Sequence, residues 1–152
     1  MQSVSPVPHG YLEVEIADVG QQLYSGHCLS VTAPAAWGEV CILHRHAPFL
    51  TKLMPGEIRL LTVQNETLQY YVSGGYLEVI NSEVTVLADR MLRSNEIDRE
   101  AALEAKAKAE RTLKESQVDS ERDVAKLELV KALAQLKVLE HVDISKFRKQ
   151  RN

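Results

Sequence analysis

The first part of the chain alternates apolar and polar residues with a period of two, the pattern of a half-buried β-strand. Leu12, Val14 and Ile16 alternate with Glu13 and Glu15, so one face of this strand is expected to be buried and the other to meet water. Further short runs, separated by Gly, Pro or Asn, occur at 28–32, 39–43, 57–63, 67–72, 76–80 and 84–86. Many short strands at this spacing predict an antiparallel sandwich or barrel.

The second part of the chain has a helical composition. From Asn95, a residue that can cap a helix, the chain is rich in Ala, Leu, Glu and Lys and contains no further Gly or Pro. On a helical wheel, one face of the first predicted helix consists mostly of methyl groups, from Ala101, Ala102, Ala105, Ala109 and Leu113. A polar stretch at 116–120 predicts a turn before a second helix.

The second predicted helix has two apolar stripes on roughly opposite sides. One stripe contains Ala125, Leu129, Leu133, Leu136 and Leu139, and the other contains Leu127, Val130, Ala134 and Val138. A helix with two apolar sides needs two partners. The first helix is expected to be one of them, which predicts an antiparallel hairpin, and the sandwich or another protein is the other.

Together the patterns predict an α+β chain, mainly β, with two domains. The sandwich is expected at 1–89, with a loose extension at 1–10, and the hairpin at 96–152. The link between them, Arg90, Met91, Leu92, Arg93, Ser94 and Asn95, is a candidate hinge. Charge follows the same division, because the first 89 residues carry a formal balance of −6 and the remainder carries +3.

Several classes of protein are disfavoured by the sequence. No run approaches the roughly 20 apolar residues of a membrane span, and the first ten residues lack the features of a signal peptide, so a cytosolic protein is expected. The acidic composition disfavours nucleic-acid binding. Cys28 and Cys41 lie in apolar stretches without a CxxC spacing, which predicts buried thiols rather than a disulfide.

Two short motifs suggest chemistry but favour simpler interpretations. His44 and His46 are two residues apart, yet no nearby Asp, Glu or Cys completes a ligand set, so no metal is expected. A small metal-dependent enzyme that uses these two residues and His27 remains a competing hypothesis. The glycines in the 73–75 segment lack the Lys and the helix of a phosphate loop, and they predict a tight bend. No catalytic constellation stands out.

Three segments together resemble the epsilon subunits of bacterial F-type ATP synthases with a C-terminal helical hairpin. They are TAPAAWGEVCILHRHAPFLTKLMPGEIRLL, YVSGGYLEVINSEVTVLAD and EIDREAALEAKAKAE, and the resemblance extends from Tyr11 to about Val142. It implies a ten-stranded antiparallel β-sandwich followed by an antiparallel two-helix hairpin. It also implies a non-catalytic subunit on the central stalk, peripheral to the cytoplasmic face of the bacterial inner (plasma) membrane, in a complex that makes ATP from ADP and phosphate with a proton gradient.

The resemblance assigns contacts on the sandwich. The family's surface toward the gamma subunit includes the His and the Thr of one loop, which here are His46 and Thr51 around Pro48. Its acidic contact toward the c-ring falls on Glu39. The chain departs from the family pattern at Cys41, where a Gly is usual, and its loop is bulkier and more positive.

The resemblance also bears on nucleotide binding. Many bacterial members hold ATP with an Asp and an Arg at the start of the first helix, and these positions are Asp98 and Ala101 here. Arg99 lies two positions before Ala101, about 200° round the helix, and should not replace the missing guanidinium. Weak or no ATP binding and no cofactor are therefore expected, with Asp98 acting as a first-turn acid.

In the family, the hairpin either folds on the sandwich or extends along gamma toward the catalytic beta subunits. The basic residues expected to meet an acidic segment of beta are Lys126, Lys131, Lys137, Lys146, Arg148 and Lys149, with Arg151 beyond them. The expected function is therefore to couple the catalytic core to the c-ring and to inhibit ATP hydrolysis through a mobile hairpin. The alternative is a free-standing β-sandwich adaptor with a helical dimerisation arm.

Overall fold

The computed structural model describes residues 10–151, which form nine strands, one short 3-10 turn and two helices. The strands are β1 (Leu12–Asp18), β2 (Gln21–Ala35), β3 (Gly38–Leu43), β4 (Phe49–Leu53), β5 (Gly56–Thr62), β6 (Thr67–Val72), β7 (Gly75–Ile80), β8 (Glu83–Ala88) and β9 (Met91–Arg93). The turn is Ser94–Glu96, and the helices are α1 (Arg99–Glu115) and α2 (Asp119–Gln150). The predicted extension at 1–10 lies outside the described residues, apart from Gly10.

The strands form two layers that share the long strand β2. The first half of β2 pairs with β1, which continues through β8 and β7 to β4. The second half pairs with β3 and β5, and β5 continues through β6 to β9. Two expectations are thereby corrected. The described residues form nine strands rather than ten, since the 15-residue β2 fills a place in each layer, and β1 pairs with β8 in parallel.

The core lies between the two layers and follows the alternation in the sequence. Leu12, Val14 and Ile16 of β1 are fully buried, whereas Glu13 and Glu15 face solvent, which confirms the one-sided strand. The same alternation buries one face of β7 and of β8. The sheets therefore form because every second side chain is buried between the layers while the backbone N–H and C=O groups stay hydrogen-bonded to the neighbouring strands.

The two cysteines have different environments. Cys28 is buried in the core as predicted, whereas Cys41 is exposed, so the expectation of two buried thiols is wrong for Cys41. The reason is the alternation along β3, where Ile42 takes the buried position and its neighbour faces outward. Burial raises the pKa of the Cys28 thiol, although the hydroxyl of Tyr24, 3.3 Å from its Sγ, acts in the opposite direction.

The hairpin begins three residues later than predicted. Asn95 lies in the 3-10 turn, and Asp98 is the residue that caps α1, accepting a hydrogen bond from the amide of Ala101 at 3.1 Å. The turn expected at 116–120 is confirmed in narrower form, because α1 ends at Glu115 and α2 begins at Asp119. Arg99 is the first residue of α1, and Asp143 lies in the last third of α2. The ion pair between them therefore shows that the two helices are antiparallel.

The predicted hinge is largely built into the sheet. Met91, Leu92 and Arg93 form β9, which pairs antiparallel with Val72, Tyr71 and Tyr70 of β6. Met91 is buried in the core, so this part of the segment is not a free polar link. The helix α2 is 32 residues long, but within the described range neither helix is both long and apolar enough to cross a membrane.

The bend between β6 and β7 confirms the structural use of the two glycines. Gly74 and Gly75 both have positive φ, and a Cβ at residue 75 would overlap the carbonyl oxygen of Leu87 on the neighbouring strand. Gly20 also has positive φ, but it has open space around it. A substitution at Gly20 therefore tests backbone strain alone, whereas one at Gly75 tests backbone strain together with steric overlap.

Gly75→Ala is expected to lower the free energy of unfolding by about 3 kcal/mol, because it adds overlap with Leu87 to the strain of positive φ. The matched control Gly20→Ala is expected to lose only about 1 kcal/mol. Urea unfolding of both variants measures the two losses. Equal losses would show that the contact with Leu87 does not constrain the bend.

Candidate functional site

The hairpin lies folded against the sandwich through α2. A small apolar cluster joins Tyr71 of β6 and Ile97, which precedes α1, to Ala134 and Val138 of α2. Leu92 and Leu139 pack beside this cluster. The contact is separate from the main core and contains few large side chains. Burying one valine-sized side chain stabilises by only about 1.5–3 kcal/mol, so the apolar part of this interface is modest.

The two predicted stripes of α2 are partly confirmed. Ala134 and Val138 of one stripe face the sandwich, and Ala125 of the other is buried, as are Ala102 and Ala109 of α1. The close packing of the helices therefore relies on small residues. However, Leu127, Val130 and Leu133 remain between 45% and 48% exposed and form a half-exposed ridge on α2, of which Val130 and Leu133 border a cavity shared with the sandwich.

A polar network joins α2 to the sandwich next to the apolar cluster. Nδ1 of His141 lies 2.9 and 3.1 Å from the two carboxylate oxygens of Glu57. The guanidinium of Arg59 donates to Glu57 at 3.0 Å and to Glu39 at 3.1 Å. A carboxylate only accepts hydrogen bonds, so Nδ1 of His141 must be the donor. The network therefore links β3, β5 and α2.

Burial makes this network energetically important. The side chain of Glu57 is only 3% exposed, and Glu57 is the only residue with an ionisable carboxylate that is buried in the described part of the chain. A buried carboxylate that loses a hydrogen-bond donor remains shielded from water, so the free-energy cost of its desolvation is no longer offset. Burial alone would lower the pKa of the Arg59 guanidinium, but its hydrogen bonds and attraction to Glu57 and Glu39 raise it overall.

Sequence reasoning missed Glu57, Arg59 and His141. Glu57 and His141 are 84 residues apart, so no local spacing connects them. The available signal was an acid and a base on alternate positions of the predicted strand 57–63, whose other residues are apolar except Thr62. That pattern indicates a polar site on the sheet but does not identify its partner on the helix.

The residues assigned to the gamma contact lie together at the start of β4. His46 packs edge-on against Phe49, with ring centroids 5.6 Å apart, and Pro48 is exposed. The hydroxyl of Thr51 donates to the carbonyl of Lys52 at 3.1 Å. The neighbouring Leu50 is 67% exposed. This segment therefore presents an apolar, solvent-facing surface.

Glu39, the residue assigned to the c-ring contact, lies beside that segment. It lines a shallow cavity of about 400 Å³ together with Trp37, Leu50 and Thr51. Trp37 is fully exposed at the turn between β2 and β3, and sequence reasoning did not single it out. Glu39 is half exposed, and one of its oxygens is already engaged by Arg59. The structure thus places Glu39 and Thr51, one residue from each assigned contact, on one surface.

The candidate nucleotide residue lies in a cavity of about 630 Å³ between the hairpin and the sandwich. Asp98 uses Oδ1 to cap α1, and Ala101 offers no polar group. Arg99 pairs with Asp143 at 2.8 Å and does not line the cavity. Four carboxylates line it, from Asp89, Glu96, Asp98 and Glu128, against two cations, from Arg90 and Lys131. This balance disfavours a phosphate chain.

The basic residues of α2 do not share one face. At 100° per residue, Lys126, Lys137 and Arg148 lie on one line along the helix, whereas Lys131 and Lys149 lie on another. Lys126 and Lys131 form ion pairs within the helix, at 3.8 Å to Asp123 and 3.5 Å to Glu128. Lys146 follows a third direction. The set therefore cannot meet one flat partner all at once.

The histidines of the competing metal hypothesis have other contacts. Nδ1 of His44 lies 3.1 Å from the carbonyl oxygen of Tyr11, and Nδ1 of His46 lies 2.7 Å from that of Ala47. His27 packs edge-on against Tyr11. Among residues 10–151, no three His, Cys, Asp or Glu side chains are grouped as metal ligands.

Comparison with known proteins agrees with both domains of this structure. Residues 11–94 match the ATP synthase Delta/Epsilon chain beta-sandwich domain, and residues 95–140 match the ATP synthase Delta/Epsilon chain long alpha-helix domain. The chain belongs to the ATP synthase delta/epsilon family. This confirms the resemblance inferred from the sequence and makes the chain a non-catalytic subunit of that complex.

Curated relatives of this family member cover most of its length. It is 47% identical over 130 residues to the ATP synthase epsilon chain of Halorhodospira halophila, covering 85% of this chain and 92% of that one. It is 42% identical over 131 residues to the ATP synthase epsilon chain of Alkalilimnicola ehrlichii, covering 86% and 94%. The family matches end at residue 140, one residue before His141.

Solved structures share the fold at low identity. A chain of the Euglena gracilis mitochondrial ATP synthase (OSCP/F1/c-ring) aligns with a TM-score of 0.78 at 20% identity, covering 91% of this chain and 87% of that one. A chain from the central stalk/c-ring of the Tetrahymena thermophila mitochondrial ATP synthase aligns with a TM-score of 0.58 at 14% identity, covering 84% and 96%. These likenesses support the two-domain fold of the delta/epsilon family member.

His141→Ala is expected to weaken docking of the hairpin by about 1.5–3 kcal/mol, because the buried carboxylate of Glu57 loses one of its two partners. Amide hydrogen exchange at 134–142 measures this loss, since an undocked helix has little protection of its own. A change of 1.4 kcal/mol corresponds to about a tenfold faster exchange.

Two variants provide the controls for this test. Glu57→Gln should accelerate exchange to a similar extent, because it keeps the shape of the side chain but removes its charge. Glu39→Gln removes the exposed partner of Arg59 without touching His141, and it should change docking by less than about 0.5 kcal/mol. Unchanged exchange in His141→Ala would show that the network does not hold the hairpin.

Proposed function

We propose that this subunit connects the rotor of a bacterial ATP synthase to its catalytic core and restrains ATP hydrolysis through its hairpin. The sandwich acts as the anchor, peripheral to the cytoplasmic face of the plasma membrane. Its partners are the gamma subunit, the c-ring and, when the hairpin extends, the catalytic beta subunits. The observation that carries this proposal is the hairpin held against the sandwich by a small interface.

The anchoring surface is the exposed edge that contains Trp37, Glu39, Leu50 and Thr51. Exposed aromatic and aliphatic side chains next to a half-exposed carboxylate fit a protein partner, because such residues dominate interface energies. We assign His46, Pro48 and Thr51 to gamma and Glu39 to the c-ring. Because one cavity joins Glu39 to Thr51, both partners contact a continuous surface of the sandwich.

The hairpin is suited to a reversible change of partner. Its apolar contact with the sandwich centres on two α2 residues, Ala134 and Val138, and its polar contact is one histidine–carboxylate pair. A docked state of this size is worth only a few kcal/mol, which a competing partner can offset. The exposed ridge of Leu127, Val130 and Leu133 supplies apolar surface for that partner.

The strand β9 determines where a hinge can operate. Because residues 91–93 complete the sheet beside β6, the sandwich keeps them when the hairpin leaves. Within the segment 90–95, this leaves Ser94 and Asn95 of the 3-10 turn as the part that can change conformation, together with Ile97 and Asp98. Lys126, Lys137 and Arg148, which share one line on α2, are then the first candidates to meet an acidic segment of beta.

ATP hydrolysis by the cognate core, prepared without this subunit, tests the proposal. The core is titrated with the full chain and with a version that ends at Glu96, which keeps β9 in the sheet. Both proteins are expected to bind, and only the full chain is expected to slow hydrolysis, because only it carries the hairpin. Since the contact with beta is electrostatic, raising the salt concentration should weaken the inhibition.

Other outcomes of the same titration would contradict the proposal in separate ways. If both proteins bind and neither slows hydrolysis, the hairpin is not a brake. If neither binds, the sandwich is not the anchor. Inhibition by the version that ends at Glu96 would place the inhibitory contact on the sandwich.

A further inference from the structure

The turn between the two helices is closed by a polar clamp, which consists of Arg122, Ser116 and Glu121. The guanidinium of Arg122 donates to the carbonyl oxygens of Leu113 and Ser116, the latter at 3.3 Å. The hydroxyl of Ser116 donates to a carboxylate oxygen of Glu121 at 2.6 Å and accepts from the amide of Val118 at 3.2 Å. The clamp therefore joins the last turn of α1 to the first turn of α2.

Arg122 takes the place of the glycine that often ends a helix. The last carbonyls of a helix have no donors within that helix, and a left-handed Gly commonly satisfies them through the turn that it forms. This chain has no Gly after Gly75, and Ser116 ends α1 in an extended conformation, with φ of −80° and ψ of 136°. The carbonyl of Leu113 is therefore satisfied by a side chain of the next helix.

The charge of Arg122 suits α1 better than the helix to which it belongs. Positive charge is unfavourable in the first turn of a helix and favourable beside the last carbonyls. Asp119 and Glu121 match the first turn of α2, whereas the half-buried Arg122 lies against the end of α1. Its contacts therefore stabilise the packed pair of helices.

The clamp is far from the contact with the sandwich. In the apolar cluster that joins the hairpin to the sandwich, Ala134 is the α2 residue nearest to the clamp in sequence. At 1.5 Å per residue, Arg122 lies about 18 Å along the helix from it. At the other end of the hairpin, Arg99 and Asp143 join α1 to α2 at 2.8 Å. The two helices are thus joined to each other at both ends.

The sides of α2 that face α1 and the sandwich are different. Ala125 and Ala132 are at most 6% exposed and lie on one line along α2. At 100° per residue, Ala134 and Val138 point about 150° away from that line. The contact with the sandwich can therefore open without uncovering the side of α2 that carries Ala125.

We infer that Arg122 is a positioning residue that keeps α1 and α2 together when the hairpin leaves the sandwich, so that the hairpin moves as one unit. A partner then meets the side of α2 that the sandwich releases, around Ala134 and Val138. Ala125 and Ala132 stay covered by α1.

The cations assigned to the contact with beta remain accessible in such a unit. The line of Lys126, Lys137 and Arg148 lies about 80° round the helix from Ala134 and Val138, and about 130° from the side that α1 covers. An acidic segment of beta can therefore reach these cations without separating the helices. This part rests on the proposed function, whereas the unity of the hairpin in the free subunit does not.

Amide hydrogen exchange of the free full chain tests the unit. His141→Ala releases the docking contact, so exchange at 134–142 is expected to accelerate about tenfold while exchange at 123–129 changes by less than about twofold. Arg122→Gln opens the clamp and is expected to give the reverse pattern, about tenfold at 123–129 and less than about twofold at 134–142.

Two further variants serve as controls. Arg111→Gln removes an exposed guanidinium near the same end of the hairpin, and it should change exchange at 123–129 by less than about twofold. Arg122→Lys keeps a cation that can donate to one of the two carbonyls, so it should accelerate exchange less than Arg122→Gln does.

A crosslink between the helices tests whether the catalytic core accepts the intact unit. In a Cys41→Ser background, which removes the exposed thiol, Arg99→Cys and Asp143→Cys are joined by a short bis-maleimide where the native ion pair joins the helices. The crosslinked chain is expected to slow ATP hydrolysis by the cognate core as strongly as the same variant without the crosslinker.

Three results would overturn the inference. One is equal acceleration over 123–142 in either His141→Ala or Arg122→Gln, since the clamp and the docking contact would then open together. Another is exchange at 123–129 that is no faster in Arg122→Gln than in Arg111→Gln. The third is loss of inhibition on crosslinking, which would show that the helices have to separate. If the chain without the crosslinker does not inhibit the core, the proposed function fails and the exchange results still decide whether the hairpin is one unit.

Discussion

The buried carboxylate of Glu57 is the constraint on which the position of the hairpin depends. The sandwich alone supplies one partner for it, Arg59, and the hairpin supplies the other, His141. Carboxylates are rarely buried unless they are paired, because desolvation costs more than one weak contact returns. The docked hairpin therefore covers a group that is only fully satisfied when α2 is present.

The rest of the interface buries few large side chains. Alanines dominate the buried positions of α1 and α2, so the helices approach closely while burying little area, and only Val138 adds a larger aliphatic group that is fully buried. Leu side chains at these positions would stabilise the docked hairpin by several kcal/mol more than the alanines do. The small interface and the polar network together give a docked state that other contacts can outweigh.

The sequence was informative where local rules apply. Alternation along β1 and β8 predicts their buried faces, and the Ala- and Leu-rich composition predicts a helical hairpin. Asn95 was misassigned as a helix cap because Asn and Asp have similar capping preferences, and the sheet extends to residue 93 before the helix can start. The alternation of apolar and polar residues also did not indicate that β2 belongs to both layers. The two halves of β2 differ in the strands they pair with, and strand pairing cannot be read from composition.

The functional surfaces were less predictable, for a physical reason. The network of Glu57 and His141 joins two residues that are 84 positions apart in sequence. Each of the two looks like an ordinary solvated charge until the hairpin folds back. The resemblance to the family assigned the gamma contact to the segment around Thr51, but it did not indicate the exposed Trp37 beside that segment. Sequence reasoning therefore located the domains better than the contacts between them.

The most direct test is ATP hydrolysis by the cognate core with the wild-type chain and with His141→Ala at equal occupancy. Glu140→Ala, an exposed neighbour on the same helix, serves as the control. If the docked hairpin is the uninhibited state, His141→Ala inhibits more strongly than the wild-type chain, and Glu140→Ala inhibits equally. Inhibition by His141→Ala that is equal to or weaker than that of the wild-type chain would contradict the claim that the buried Glu57 network holds the hairpin away from the catalytic subunits.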